Sequence, residues 1–194
     1  MPGPLSLPIM VLRNTPRRWG ALAQLLHWIV VLCIIAQFTL AFLFDDLPAG
    51  SRKLTLVARH KSIGITILML ALLRVLWRWS NQTPPLPATL KPYERALARL
   101  THVLLYVLLF AVPLTGWLMS SARGFPVSWF GFFTLPDLVP KNRALYELLL
   151  STHGVLAWTL GAVAVLHLLA ALKHHFVLRD DTLRRMLPFF STKA

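Results

Sequence analysis

Seven histidines are the residues in this sequence best suited to chemistry, and five of them fall inside apolar stretches. An ionisable side chain within an apolar block of membrane length is costly and carries a functional hypothesis by default. His153 and His167 give the sharpest signal. At 100° per residue their spacing turns through about 1400°, which returns both imidazoles to nearly the same helix face, roughly 21 Å apart along the axis. Two rings that far apart cannot bind the same small ion, so each needs its own partner at its own depth. His60 is available at one depth and His27 at the other. Facing imidazoles from different helices suit bis-histidine haem iron held without covalent attachment, and stacked sites of that kind would carry electrons across a membrane. A lone intramembrane histidine can also hydrogen-bond a neighbouring helix or line a proton path. It is the two matched layers that favour haem.

Other metal chemistry fits poorly. Cys33 is the single cysteine, which excludes an intrachain disulfide and a Cys-x-x-Cys-His haem attachment and leaves a thiolate cluster without ligands. Zinc would need a third histidine or a carboxylate at ligand spacing, and seven Asp and Glu residues are too few for a di-metal carboxylate centre. His102 is left over. It could compete with His27 or hydrogen-bond a haem propionate, the second being the preferred role. Gly64 and Gly154, close to His60 and His153, could admit a flat macrocycle or could simply allow close helix packing.

The elements that must position these residues are four apolar blocks, about Gly20 to Phe44, Leu54 to Trp79, Leu97 to Ser120 and Leu145 to Leu172. Each has roughly 20 or more residues, enough to cross a hydrocarbon core of about 30 Å as a helix. None shows the alternation of barrel strands. The composition agrees: of 194 residues 56% are hydrophobic and 14% charged, with mean hydropathy +0.62. That is too apolar for an ordinary soluble domain and for a disordered chain. The expected fold is therefore an all-α membrane protein, a four-transmembrane-helix bundle. Thr83-Pro84-Pro85-Leu86-Pro87 breaks the chain between the second and third helices. Residues 1–18, with four prolines and too short an apolar stretch for a signal peptide, are expected to form a poorly ordered N-terminal tail. Residues 19–179 would be the membrane domain and 180–194 a cytoplasmic C-terminal tail.

The net charge of +13 is explained by topology rather than by nucleic-acid binding, because the cations cluster at the block ends. The larger set includes Arg13, Arg17, Arg18, Arg74, Arg78, Lys91, Arg95, Arg99, Lys173, Arg179, Arg184, Arg185 and Lys193. It should face the cytoplasm, with both termini on that side. The opposite side still holds Arg52, Lys53, Arg59, Lys61, Arg123, Lys141 and Arg143, only partly offset by Asp45, Asp46, Asp137 and Glu147. A field of that sign raises encounter rates with small anions; lipid phosphates would be attracted by the same residues. The apolar segment Gly124–Phe130 is expected in the outer interface, where aromatic rings are favoured.

Several motifs resemble the prokaryotic cytochrome b561 family. They are Trp19-Gly20 with Leu26-His27-Trp28 on the first helix and Arg59-His60-Lys61-Ser62-Ile63-Gly64 on the second. The third helix contributes His102, Leu105-Tyr106 and Pro113-Leu114-Thr115-Gly116-Trp117, and the fourth His153-Gly154 and His167 with Ala170 to Phe176. The likeness spans about residues 19–190. It implies a bundle in the bacterial inner membrane with two b haems, one held by His27 and His167 and the other by His60 and His153. It also implies superoxide oxidase activity, in which superoxide outside gives an electron, releases O₂ and reduces ubiquinone. The quinone headgroup would then lie near His174, flanked by Lys173 and His175, about two turns beyond His167. The other activity the resemblance offers is a cytochrome subunit relaying electrons between a redox protein partner, a hydrogenase or dehydrogenase, and the quinone pool. A scaffold or transporter with structural histidines is disfavoured by the lack of paired repeats and discontinuous helices.

Overall fold

The computed structural model describes residues 11–87 and 90–188. Four helices dominate it: α1 (Ala21–Asp45), α2 (Ser51–Trp79), α3 (Pro92–Arg123) and α4 (Arg143–Phe176). All four are long and apolar enough to cross a membrane. They match the expected blocks in order and location, and extend past them by up to about a turn at the polar ends. Those ends have identifiable causes. Pro92 occupies the first turn of α3, where a missing N–H costs nothing, and Glu94 Oε2 accepts from the Lys91 N–H at 3.1 Å. Gly124 ends α3 at φ +79°, the left-handed cap that glycine adopts without penalty. Asn142 opens α4 by accepting from the Leu145 N–H at 2.9 Å.

α1 packs along α2, α3 along α4, and α2 joins the two pairs. The central packing is small: Val30, Ile67, Ala71 and Leu109, with Cys33, Ile34, Ile63, Leu70 and Phe110 against them. On α2 these residues lie between His60 and Arg74, which contacts His27, so an apolar floor separates the two depths. Large apolar side chains such as Leu32, Val155 and Leu166 point outward, as expected of a surface solvated by lipid.

The connection from α3 to α4 folds as a short hairpin, β1 (Ser128–Trp129) against β2 (Phe133–Thr134), antiparallel, with Trp129 opposite Phe133. Phe130 and Gly131, at φ +48° and +81°, make its turn. The hairpin is fastened to α2: the Phe130 N–H donates to Ser62 Oγ at 3.0 Å, and the Trp129 indole donates to Thr66 Oγ1 at 3.1 Å. A plug of this kind was not foreseen in a segment expected simply to lie at the interface.

At the opposite end lie residues 11–20, expected to belong largely to a poorly ordered tail, and residues 180–188, expected to begin a C-terminal tail; both pack against the helices. Asn14 is buried; its amide donates to the Gln82 carbonyl at 2.9 Å and its Oδ1 accepts from the Gly20 N–H at 2.9 Å. A Cβ on Gly20 would run into the Leu12 and Arg13 carbonyls, so this close return of the chain requires glycine. Residues 180–188 dock as well. Trp28 donates to the Met186 carbonyl at 2.9 Å, Gln24 to Arg185 at 3.0 Å and Arg18 to Leu187 at 3.2 Å. Residues 11–18 and 180–188 are thus parts of the bundle; the remainder of each expected tail, residues 1–10 and 189–194, lies outside the described residues.

Replacing Asn14 by alanine strands buried backbone groups on two segments and should cost about 2 kcal/mol. A thermal melt of the purified protein in detergent should show a midpoint lowered by several degrees. An unchanged melt would mean that this clamp contributes nothing to stability.

Candidate functional site

α4 presents His153 and His167 inward, each against a histidine from another helix. His60 and His153 have ring centres 6.3 Å apart with planes at 75°, and His27 and His167 are 6.4 Å apart at 72°. A metal–imidazole bond is about 2 Å long, so two imidazoles on opposite axial sides of one metal have ring centres roughly 6 Å apart. Both pairs meet that spacing. His102, on α3, stands 5.4 Å from His167, closer than an axial pair allows. Among the described residues no group of three or more His, Cys, Asp or Glu side chains is arranged to hold a bare metal ion.

The surroundings of each ring set what it can bind. His153 Nδ1 lies 3.0 Å from the Val112 carbonyl and 3.3 Å from Thr115 Oγ1. Donation to the carbonyl puts the proton on Nδ1 and leaves the Nε2 lone pair for a metal, the arrangement that outer-shell partners of histidine ligands produce. Gly116 makes room for this ring, since a Cβ there would stand 3.1 Å from His153 Cε1. His60 Nδ1 is buried without a hydrogen-bond partner, as is Gln37 Oε1, whose amide nitrogen lies 3.2 Å from where a Gly64 Cβ would be. Orphaned polar atoms inside an apolar bundle mark a place that a bound group completes. Of the glycines singled out in the sequence, Gly64 is a close-approach position, whereas Gly154 faces open space.

At the other layer the Arg74 guanidinium lies 3.1 Å from His27 Nδ1 and stacks on Tyr106 at 5.7 Å. A guanidinium only donates, so in this arrangement Nδ1 accepts and the proton sits on Nε2. Ligation of a metal through Nε2 would require the other tautomer, with the proton on Nδ1, and Arg74 would then keep its contact with Tyr106 rather than its bond to the ring. Arg78 stacks on Tyr106 and on Trp19, both at 5.9 Å, so the cations of this layer are held by aromatic faces. Sequence reasoning placed Arg74 only in a topological count; its spacing from His27 on another helix gave no sign of the contact.

The seven cations at the hairpin end do not form one cluster. Three surround the Gly124–Phe125 turn. Lys61 donates to the Phe125 carbonyl at 3.3 Å, Arg123 stacks on Phe125 at 5.4 Å and donates to the Tyr146 hydroxyl at 2.8 Å, and the Lys141 stem packs on Gly124. Lys53 is turned to the Leu47 carbonyl at 2.9 Å, Arg143 pairs with Glu147 at 3.9 Å, and Arg52 and Arg59 are exposed on α2.

Lys173, His174 and His175 also diverge. Lys173 reaches Glu94 on α3 at 3.7 Å, His175 Nδ1 is buried without a partner, and His174 Nδ1 meets Asp180 Oδ2 at 2.5 Å. Partial burial pushes the Asp180 carboxyl up, but hydrogen bonds from Thr182 and His174 outweigh it and hold the group below its ordinary 3.8. Asp180 was not singled out in the sequence, because its partner is set by a turn after α4 that periodicity does not describe.

Four membrane-crossing helices around facing histidine pairs are the architecture of a helical membrane cytochrome. The family model described as prokaryotic cytochrome b561 matches residues 18–189, and the chain belongs to that family. It is similar to cytochrome b561 homolog 2 of Escherichia coli (strain K12), 38% identical over 92% of this chain and 95% of that one. It is also similar to the probable superoxide oxidase CybB of Yersinia pestis, 34% identical over 89% and 97%. Cytochrome b561 homolog 1 of Escherichia coli (strain K12) is 32% identical over 84% and 93%. The protein is accordingly a multi-pass bacterial inner-membrane cytochrome of the haem b-binding, electron-transferring kind.

Because the carboxyl pKa of Asp180 is lowered on folding, its hydrogen bonds contribute stability fully above pH 3.8 and lose it as pH falls through the folded value. Amide exchange over residues 180–186, corrected for intrinsic rate, should therefore accelerate on acidification below about pH 4. Exchange that stays flat through that range would show that the ion pair does not hold the segment.

Proposed function

We propose that the chain is a superoxide:ubiquinone oxidoreductase holding two non-covalent b haems. His60 and His153 hold one and His27 and His167 the other, with both termini cytoplasmic. The observation that carries the reading is the pair of matched ring separations, 6.3 and 6.4 Å, at two depths on a single face of α4. Superoxide as donor is supported by the likeness to the probable superoxide oxidase of Yersinia pestis and by the basic hairpin end. Overall, two superoxide anions, one ubiquinone and two protons give two O₂ and one ubiquinol.

Haem b, when bound, supplies a one-electron couple at each layer. The protein supplies the rest. Val112 fixes the His153 tautomer, and the apolar floor of Val30, Ile67 and Leu109 keeps water and protons from passing between layers. Lys61 and Arg123 draw the anion to the periplasmic end, where no acid–base group is required because superoxide only loses an electron. At the cytoplasmic end the Tyr106 contact keeps the positive charge of Arg74 near the histidine layer, which favours an added electron there. His174, with Lys173 and His175 nearby, supplies the proton donor a quinone oxygen needs. The membrane domain then extends over residues 11–188, beyond the 19–179 expected from apolarity.

Alanine at any one of His27, His60, His153 or His167 should leave about half the haem of the wild-type protein, read by pyridine haemochrome assay. Full haem in all four variants would refute the ligand assignment. Neutralising Lys61 and Arg123 together should slow superoxide consumption several-fold at low salt and flatten its ionic-strength dependence in stopped-flow absorbance. Unchanged kinetics would remove these two cations from the approach path.

A further inference from the structure

The end of α4 is built to hold one imidazole in one orientation. The helix closes with the Val177 and Leu178 N–H groups both donating to the Lys173 carbonyl, at 2.9 and 3.1 Å. Arg179 then takes a left-handed conformation at φ +53°, uncommon for a residue with a side chain. That reversal returns the Asp180 N–H to the His174 carbonyl at 3.1 Å and brings the Asp180 carboxylate onto the His174 ring. The carboxylate is itself fixed, its Oδ1 accepting from the Thr182 N–H at 2.9 Å. His174 Nε2 makes no hydrogen bond among the described residues and is not among the enclosed unpartnered atoms, so it is the nitrogen open to a visitor. A strained backbone and a doubly held carboxylate spent on one ring nitrogen are more than the end of a helix requires, since α1 and α2 end without either.

We infer that Asp180 is the positioning residue for His174 in quinone protonation, an inference that rests on the quinone reading above. By accepting from Nδ1, Asp180 keeps a proton on that nitrogen and aims Nε2 at the quinone oxygen. Each quinone takes two electrons, supplied singly by two superoxide anions, and two protons. For the proton that His174 delivers, the Nε2–H bond breaks as the quinone O–H bond forms. The ring is left neutral with its proton on Nδ1, and Nε2 is reprotonated from water at the cytoplasmic face.

The test uses the holoprotein in lipid nanodiscs with a short-chain ubiquinone, comparing Asp180→Asn, Asp180→Glu and His174→Gln. Asp180→Asn should lower kcat for quinone reduction about tenfold with KM changed less than about twofold, and Asp180→Glu should recover most of the loss. Nitrogen NMR of ring-labelled histidine, with the His174 signal assigned by its absence from His174→Gln, should show a carboxylate-bonded Nδ1–H in the wild type. A wild-type signal without that bond overturns the inference whether or not either Asp180 variant folds. Wild-type turnover in Asp180→Asn beside slow turnover in His174→Gln overturns the positioning role and leaves the quinone reading standing. Wild-type turnover in His174→Gln removes the quinone from this corner and the inference with it.

Discussion

The structure is organised by the cost of placing imidazoles in an apolar bundle. A neutral ring inside a membrane segment still has two polar nitrogens to satisfy, and lipid satisfies neither. α4 carries two such rings on one face, and the bundle answers with a partner ring at each depth, His60 from α2 and His27 from α1. Helix order follows from this. α4 must lie where it can see α1 near one end and α2 near the other, while packing along α3 for its whole length. The close approach that this demands falls on glycines: Gly116 makes room for His153, and Gly161 for the Phe38 ring of α1, whose nearest atom would stand 2.9 Å from a Cβ there. Small residues at these crossings let backbones come near enough for side chains to meet across the bundle axis.

The two ends solve different problems with different chemistry. At the hairpin end the folded-back segment is tied to α2 by hydroxyl and indole hydrogen bonds, and Lys61 and Arg123 lean on a carbonyl and an aromatic face. At the terminal end three separate pieces of chain, residues 11–20, the 80s linker and residues 180–188, are stitched together by donors from Asn14, Gln24, Trp28 and Arg185. There the cations have carboxylate partners, Lys173 with Glu94 and Arg185 with Asp181 at 3.0 Å. Each end thus holds its cations in its own way, one mainly on rings and carbonyls and the other partly on carboxylates.

What could be read from the sequence divides along the same physical line. Helix boundaries, the depth of each histidine and the shared face of His153 and His167 follow from rise and rotation per residue, which are properties of a single helix. Partner choice within a layer was accessible too, because only one histidine besides His102 was available at each depth. The pairing of His27 with Arg74 was hidden, since it depends on the rotation of α1 relative to α2, which no periodicity records. The Asn14 clamp was hidden for a related reason. Prolines and a short apolar run describe a segment without helix or strand, and residues 11–20 have neither; their order comes from hydrogen bonds within the segment, such as Asn14 to Gly20, and to residues far along the chain, such as Gln82.

Asp180 shows the same limit in sharper form. In sequence it is one of two adjacent acids after a basic helix end, indistinguishable from a solvated pair. Arg179 in the left-handed region separates their fates. Asp180 turns back onto His174, while Asp181 pairs with Arg185 one turn later. Both acids are therefore paired, but only one of them is bonded to a ring that can carry a proton. The α4 helix thus has His153 and His167 set against partners across the bundle and His174 held by the chain's own return. A single rigid element sets the positions of all three, so a shift of α4 along its axis would disturb both layers and the terminal imidazole together.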